Sequence, residues 1–153
     1  KENRDIPPLD YDLVMRMKAL FPHLHISVNG GIDSLEEAKA FLDAGLDGVM
    51  IGRGVQGRPW LLAQVAHLLH GTPAPRIPSG HDLIALVRSH YEAMLSFYGA
   101  SLGTRVARKH LGWYMDEAGT SKALRREVLT ASDPDRVVRL IPRMLTETEE
   151  MAA

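Results

Sequence analysis

No cysteine occurs among the 153 residues, which excludes a disulfide framework, a thiolate metal site and a cysteine catalyst within this chain. Long apolar runs are missing too. None approaches the roughly 20 residues needed to cross a bilayer, and the start, Lys1-Glu2-Asn3-Arg4-Asp5, does not read as a signal peptide. Neither sign of charge is in excess: 18 Lys and Arg against 19 Asp and Glu leave a net charge of −1. No global field therefore draws the chain to nucleic acid or membrane, and any RNA contact has to rest on a local patch. These absences read together as an intracellular, soluble, cytoplasmic protein. With 45% hydrophobic and 24% charged residues, the chain can build one ordinary core or two small ones.

The first half alternates between helical and strand patterns. Asp10 can cap a helix whose apolar residues Leu13, Val14, Met17, Leu20 and Phe21 recur at helical spacing, and Pro22 ends it. Leu24–Val28 has strand character. Asp33 with Glu36 fits a capping box for a helix that stops at Gly45. The apolar run 47–51 lacks alternation, which predicts a strand buried on both faces as in a parallel sheet. Pro59 suits the first position of a helix that closes at Gly71. The order helix, strand, helix, strand, helix is that of an α/β barrel or a doubly wound sheet.

A proline- and glycine-rich stretch over 72–81 predicts a semi-rigid linker. Beyond it the pattern is helical throughout. Asp82 is expected to start a helix carrying Leu83, Val87, Tyr91 and Met94, followed by helices over 104–117, 121–130 and 134–147, with a kink at Pro142. The expected organisation is α/β over 1–71, the linker over 72–81, and an all-α bundle over 82–153.

Both predicted strands end in glycine. Asn29-Gly30-Gly31 follows the first and Gly52-Arg53 the second. Glycine lets backbone N–H groups approach a ligand with no Cβ in the way, and a following helix N-terminus favours an anion, most often a phosphate. The loops after the last two strands of a TIM barrel are frequent phosphate sites. A tight turn is the simpler reading of Gly30-Gly31, and pairing with Asp43 or Asp47 the simpler reading of Arg53.

These residues also carry a family resemblance. KENRDIPPLDYDLVMRMK, ISVNGGIDSLEEAKAFL and LDGVMIGR resemble the run from the loop after strand 6 to the end of strand 8 of the barrel of tRNA-dihydrouridine synthases. GRGVQGRPWLLAQVAHLLHG and RVARKHLGWYMDEAG resemble the final barrel helix and C-terminal helical domain of that family. The resemblance covers essentially the whole chain. It implies the C-terminal part of a TIM (β/α)8 barrel plus a helical tRNA-binding domain, in a flavoenzyme that uses FMN, reduced by NADPH, to convert uridine in tRNA to dihydrouridine. By matching motifs, Asn29, Gly30, Gly31, Gly52 and Arg53 would hold the phosphate end of FMN.

Two departures qualify that. The catalytic cysteine of the family and its isoalloxazine and ribityl contacts belong to earlier barrel strands, so no catalytic residue is assigned here and the isolated chain is expected to be inactive. An unfinished barrel, with two strands of eight, is also expected to self-associate through exposed edges and apolar faces. Second, residues 1 to about 51 look most like the A branch of the family and those from 52 onward like the B branch. That points to a recombined or artificially joined chain, with a naturally divergent member as the alternative.

Arg105, Arg108 and Lys109 fall within about a third of a helical circumference, with Gly112 on the same stripe, while Val106, His110, Trp113 and Tyr114 are expected in the core. Between residues 105 and 126 six Lys or Arg face two acids. Such a stripe can contact RNA phosphates without reading sequence, and the resemblance implies tRNA as the partner; a solvated charged face is the plainer meaning. Arg125 and Arg126 are weaker candidates. The pairs His23/His25 and His67/His70 lack a third metal ligand at suitable spacing, so no metal is expected. Trp60 and Trp113 fit packing better than base stacking. Two other readings are a stand-alone RNA-binding helical module and a fragment of another phosphate-binding flavin barrel, such as a dihydroorotate-dehydrogenase-like enzyme.

Overall fold

The computed structural model describes residues 9–147. They divide into two compact units. One runs to Val55 and resumes over Pro59–Pro75; the other takes in Gln56–Arg58 and continues from Arg76. The main change of unit therefore lies inside the proline-rich stretch.

The first unit contains α1 (Asp12–Leu20), β1 (Ser27–Asn29), α2 (Leu35–Asp43), β2 (Gly48–Met50), a 3-10 turn (Arg53–Val55) and α3 (Leu61–His70). β1 and β2 pair in parallel, with Ser27 opposite Gly48, Val28 opposite Val49 and Asn29 opposite Met50. A parallel pair needs a crossover, and α2 supplies it. Both strands thus end on the same side, which places their following loops next to each other.

Local chemistry sets the boundaries. The capping box forms one residue later than Asp33 and Glu36 predict: Ser34, in extended conformation, accepts the Glu37 N–H, and the Glu37 carboxylate returns to the Ser34 N–H. Pro59 likewise stands ahead of the helix rather than in its first position, because Trp60 is the N-cap of α3. Val28, Ile32, Ala38, Leu46, Leu61 and Val65 form the buried core of this unit.

The expectation that β2 is buried on both faces fails. Val49 is half-buried and Met50 is 59% exposed, because a sheet of two strands has no further strand beside β2 to shelter it. Helix α1 has no buried residue, and Leu13, Met17, Leu20 and Phe21 stand exposed along it and at its end.

The second unit contains α4 (Gly80–Tyr98), α5 (Ala100–Ala118), α6 (Lys122–Thr130) and α7 (Pro134–Thr146). Two of these helices begin earlier than predicted, at Gly80 rather than Asp82 and at Ala100 rather than 104, with Gly99 separating α4 from α5. Asp133 caps α7 by accepting the Asp135 and Arg136 N–H groups at 3.1 and 3.2 Å, with Pro134 in the first turn where a missing donor costs nothing. Pro142 sits within α7, which continues through it to Thr146. The core gathers Tyr91, Leu111, Met115, Val128, Ile141 and Met144.

The buried face of α5 is turned from the expected one. Thr104, Ala107, Leu111, Tyr114 and Met115 are buried, whereas Val106, His110 and Trp113 are only half-buried. Packing of α5 against both α4 and α7 selects the stripe, and Thr104 can join it because its hydroxyl donates to the Ala100 carbonyl at 2.7 Å. A buried hydroxyl with an acceptor within its own helix carries little desolvation penalty.

Candidate functional site

Parallel pairing brings the Asn29-Gly30-Gly31 loop and the Gly52-Arg53 loop to the same strand ends. The two loops are built differently. Gly30 and Gly31 have φ of 111° and 65°, a region that disfavours any side chain. A Cβ on Gly31 would also stand 2.6 Å from the Tyr11 hydroxyl and 2.9 Å from Leu9. The pair thus satisfies a turn and close packing under the 9–11 segment. At Gly52, by contrast, the space a Cβ would occupy is open.

The next residue ties the loops together. Gly54 is buried in the 3-10 turn, and a Cβ there would collide with the Ile32 carbonyl and stand 2.7 Å from the Asp33 Cα. Neither Gly54 nor Tyr11 stood out in the sequence. Gly54 follows Arg53 in GRG and could have been noticed as a second glycine at the strand end; Tyr11 carries no local signal.

The start of α2 is not a vacant anion site. Its own Glu37 carboxylate accepts the Asp33 and Ser34 N–H groups at 2.9 and 3.2 Å, and the Ser34 hydroxyl accepts the Glu37 N–H at 3.1 Å. The Asp33 amide first, then the Ser34 groups, hold the Glu37 carboxyl below its ordinary 4.5. A carboxylate already occupies the positive end of this helix. The expectation that this helix start offers an anion site is corrected accordingly, and any phosphate binding falls to the loops themselves.

Arg53 is exposed. The anticipated pairing with Asp43 or Asp47 does not form, since Asp43 pairs with Lys39 and Asp47 with Lys18. Among the described residues Arg53 has no ion pair, so its guanidinium remains a cation beside Gly52.

In the helical unit, the three basic residues separate. Arg105 and Arg108 line a cleft of about 290 Å³ together with Ser101, Thr104, Ser132 and Pro134. Arg108 directs one terminal nitrogen toward the Ala131 carbonyl at 3.4 Å, while its Nε is buried without a partner. Lys109 lies instead over the Trp113 ring, 5.1 Å from its centroid, a cation–π arrangement. Gly112 does not serve close approach of a ligand. It is buried, its carbonyl accepts Arg125 Nη1 at 3.0 Å, and Arg125 also pairs with Asp116 at 2.6 Å. Arg125 therefore joins α6 to α5. Arg126 is exposed.

A further cluster escaped the sequence pattern. His90 and His110 pack with ring centroids 5.1 Å apart, Trp113 stands 4.9 Å from His110, and His90 Nδ1 lies 3.1 Å from the Tyr114 hydroxyl. Burial pushes both imidazoles below their ordinary 6.5 and raises the Tyr114 phenol. The rings meet edge to face, His90 on His110 and Tyr114 and His110 on Trp113, which makes this cluster part of the packing. Among the described residues no group of three or more His, Asp or Glu gathers as a metal site.

Comparison with known proteins gives this geometry its context. The family model described as dihydrouridine synthase (Dus) matches residues 1–149. A probable tRNA-dihydrouridine synthase of Rhodobacter capsulatus is 47% identical over 125 residues, covering 81% of this chain and 38% of that protein. A second, from Rickettsia conorii, is 36% identical over 142 residues, covering 92% and 43%. The tRNA-dihydrouridine synthase B of Vibrio cholerae is 40% identical over 119 residues, covering 76% and 36%. An α/β unit with two glycine loops at neighbouring strand ends and a helical unit with a basic cleft are the parts in hand. The chain belongs to the dihydrouridine synthase family, and it spans about two fifths of the length of the curated relatives it matches. The family match sets aside the alternative of a dihydroorotate-dehydrogenase-like barrel.

Proposed function

We propose that this chain is the C-terminal part of an FMN-dependent tRNA-dihydrouridine synthase, which reduces uridine in tRNA with electrons from NADPH. The observation that carries the proposal is the parallel register of β1 and β2, which sets Asn29-Gly30-Gly31 beside Gly52-Arg53 within a chain whose relatives bear that name.

The residues present fit the phosphate end of FMN. Gly52 leaves open space and Arg53 offers an exposed guanidinium, which pairs well with a phosphate. Asn29, Gly30 and Gly31 contribute a loop whose backbone can approach an anion. When bound, FMN supplies the hydride that reduces the uracil ring. The role of this chain is to hold and orient the phosphate, and it offers no cysteine as proton donor. It is the closing portion of a TIM (β/α)8 barrel, and α1 and β2 leave apolar surface for the remaining strands and helices.

In the helical unit, Arg105 and Arg108 bind tRNA phosphates at their cleft, and Lys109 adds charge from its place on Trp113. Contacts of this kind supply affinity without sequence readout. An enzyme of this class works in the cytoplasm; no described helix is long and apolar enough to cross a membrane.

Titration with FMN and riboflavin, followed by flavin fluorescence, tests the first site. Tighter binding of FMN supports the phosphate loops, and equal binding refutes them. For the second site, Arg105→Ala with Arg108→Ala should weaken tRNA binding and reduce the steepness of its salt dependence by about two phosphate contacts. An unchanged salt slope would count against it. The isolated chain with FMN, NADPH and unmodified tRNA is expected to yield no dihydrouridine.

A stand-alone RNA-binding module is the second reading. It is favoured by the separate core of the helical unit and is distinguished by tRNA affinity that survives removal of residues 1–71.

A further inference from the structure

The hydroxyl of Tyr11 donates to the Gly30 carbonyl at 2.9 Å. No cis peptide bond occurs among the described residues, and a planar trans unit points its C=O and N–H in opposite directions. The Tyr11 bond therefore sets the Gly31 N–H on the side of the loop away from the phenol. Gly31 is exposed, and among the described residues its N–H has no acceptor.

We infer that Tyr11 is a positioning residue for the phosphomonoester of the flavin, fixing the Gly30–Gly31 peptide so that the Gly31 N–H faces the anion. This rests on the flavin reading above. A peptide between two glycines can turn over at little steric cost, since each side tolerates both signs of φ. Something outside the loop has to choose the orientation, and the phenol does so. Tyr11 is itself held in place. Its ring packs on Phe41 of α2 at 4.7 Å between centroids and a 60° tilt. Leu9 fills the neighbouring space, with its Cδ1 3.0 Å from where a Cβ on Gly30 would stand. Preorganising a donor before the ligand arrives reduces the ordering cost of binding.

The test is Tyr11→Phe in the full chain, which keeps the ring on Phe41 and removes only the donor. FMN and riboflavin titrations are run on both proteins, with the Gly31 amide exchange rate measured by NMR with and without FMN. The expected result is an FMN dissociation constant raised about three- to tenfold in the variant, with riboflavin binding unchanged, and Gly31 exchange slowed by FMN in the parent only. A parent that prefers FMN beside a variant with the same preference overturns the role of Tyr11 and leaves the phosphate loops standing. Equal losses of FMN and riboflavin would make Tyr11 merely structural, which also overturns it. A parent with no preference for FMN removes the flavin reading and this inference together. If the variant unfolds, as its thermal melt would reveal, the parent's Gly31 exchange decides: slowing by FMN supports the positioned N–H, and no change overturns it.

Discussion

The Lys18 ammonium lies 2.6 Å from Asp47 Oδ2, and the same oxygen accepts the Ile26 N–H at 2.8 Å. Lys18 also donates to the Pro22 and Leu24 carbonyls at 3.3 and 3.0 Å. One ion pair thus binds α1 to the entry of both strands, at the end opposite the glycine loops. The Ile26 amide first and Lys18 second hold the Asp47 carboxyl below its ordinary 3.8. A carboxyl depressed in the folded state contributes stability above its unfolded value and loses it as the pH falls through the folded one. Asp47→Asn is expected to lower the thermal midpoint near neutral pH by a few degrees and to reduce the loss of stability on acidification below about 3.8. Circular dichroism melts across that range would show it, and an identical acid limb in both proteins would refute it.

Gly54→Ala should separate the 3-10 turn from the Ile32-Asp33 backbone, because backbone atoms on the far side cannot yield as a side chain can. We expect a cost of about 1–3 kcal/mol in chemical denaturation. FMN affinity should fall with it, whereas an alanine at the open Gly52 position should leave folding stability within about 0.5 kcal/mol.

Burial lowers the His90 and His110 imidazoles from 6.5, so the unfolded chain takes up protons first as the pH drops. Stability is therefore expected to decline from about pH 6.5 downward until the folded rings protonate as well. The doubly substituted chain, His90→Gln with His110→Gln, should show a flatter slope over that window in urea titrations at stepped pH. Equal slopes would mean that the cluster is open to protons in the folded state.

Ile141 is fully buried in the core of the helical unit. Ile141→Ala should cost about 2–5 kcal/mol, read as a shifted denaturation midpoint. Leu102, 44% exposed on α5, offers the comparison: Leu102→Ala should move the midpoint by no more than about 0.5 kcal/mol.

Exposed Leu13, Met17, Leu20 and Phe21 on and after α1, with Met50 on β2, should drive the isolated chain into oligomers. Light scattering at rising concentration is the check. Leu13→Glu with Met17→Glu should shift the distribution toward monomer, and a parent that is monomeric throughout would refute the expectation.

Much of the helical order was legible because it is written locally. Gly45 and Gly71 follow helix ends, and Asp133-Pro134 opens α7. Where two neighbouring residues could each play a role, local spacing chose wrongly. Asp33 and Ser34 both precede α2 and both are followed three residues later by a glutamate; the extended backbone at Ser34 decided between them. The basic stripe was visible as residue types, but its division into a cleft lined by Arg105 and Arg108 and a Lys109–Trp113 stack was not.

By itself the sequence determined the alternation of helix and strand, the glycines at the strand ends and the membership in a family, since each rests on residue identity at fixed spacing. Only the tertiary structure decided which groups these residues meet. Parallel pairing of β1 and β2 made neighbours of Gly30-Gly31 and Gly52-Arg53, the crossover helix closed its own start with Glu37, and Tyr11 came to rest on the Gly30 carbonyl from 19 residues away. Contacts between residues distant in the chain depend on how the elements pack, and no spacing rule along the chain encodes that.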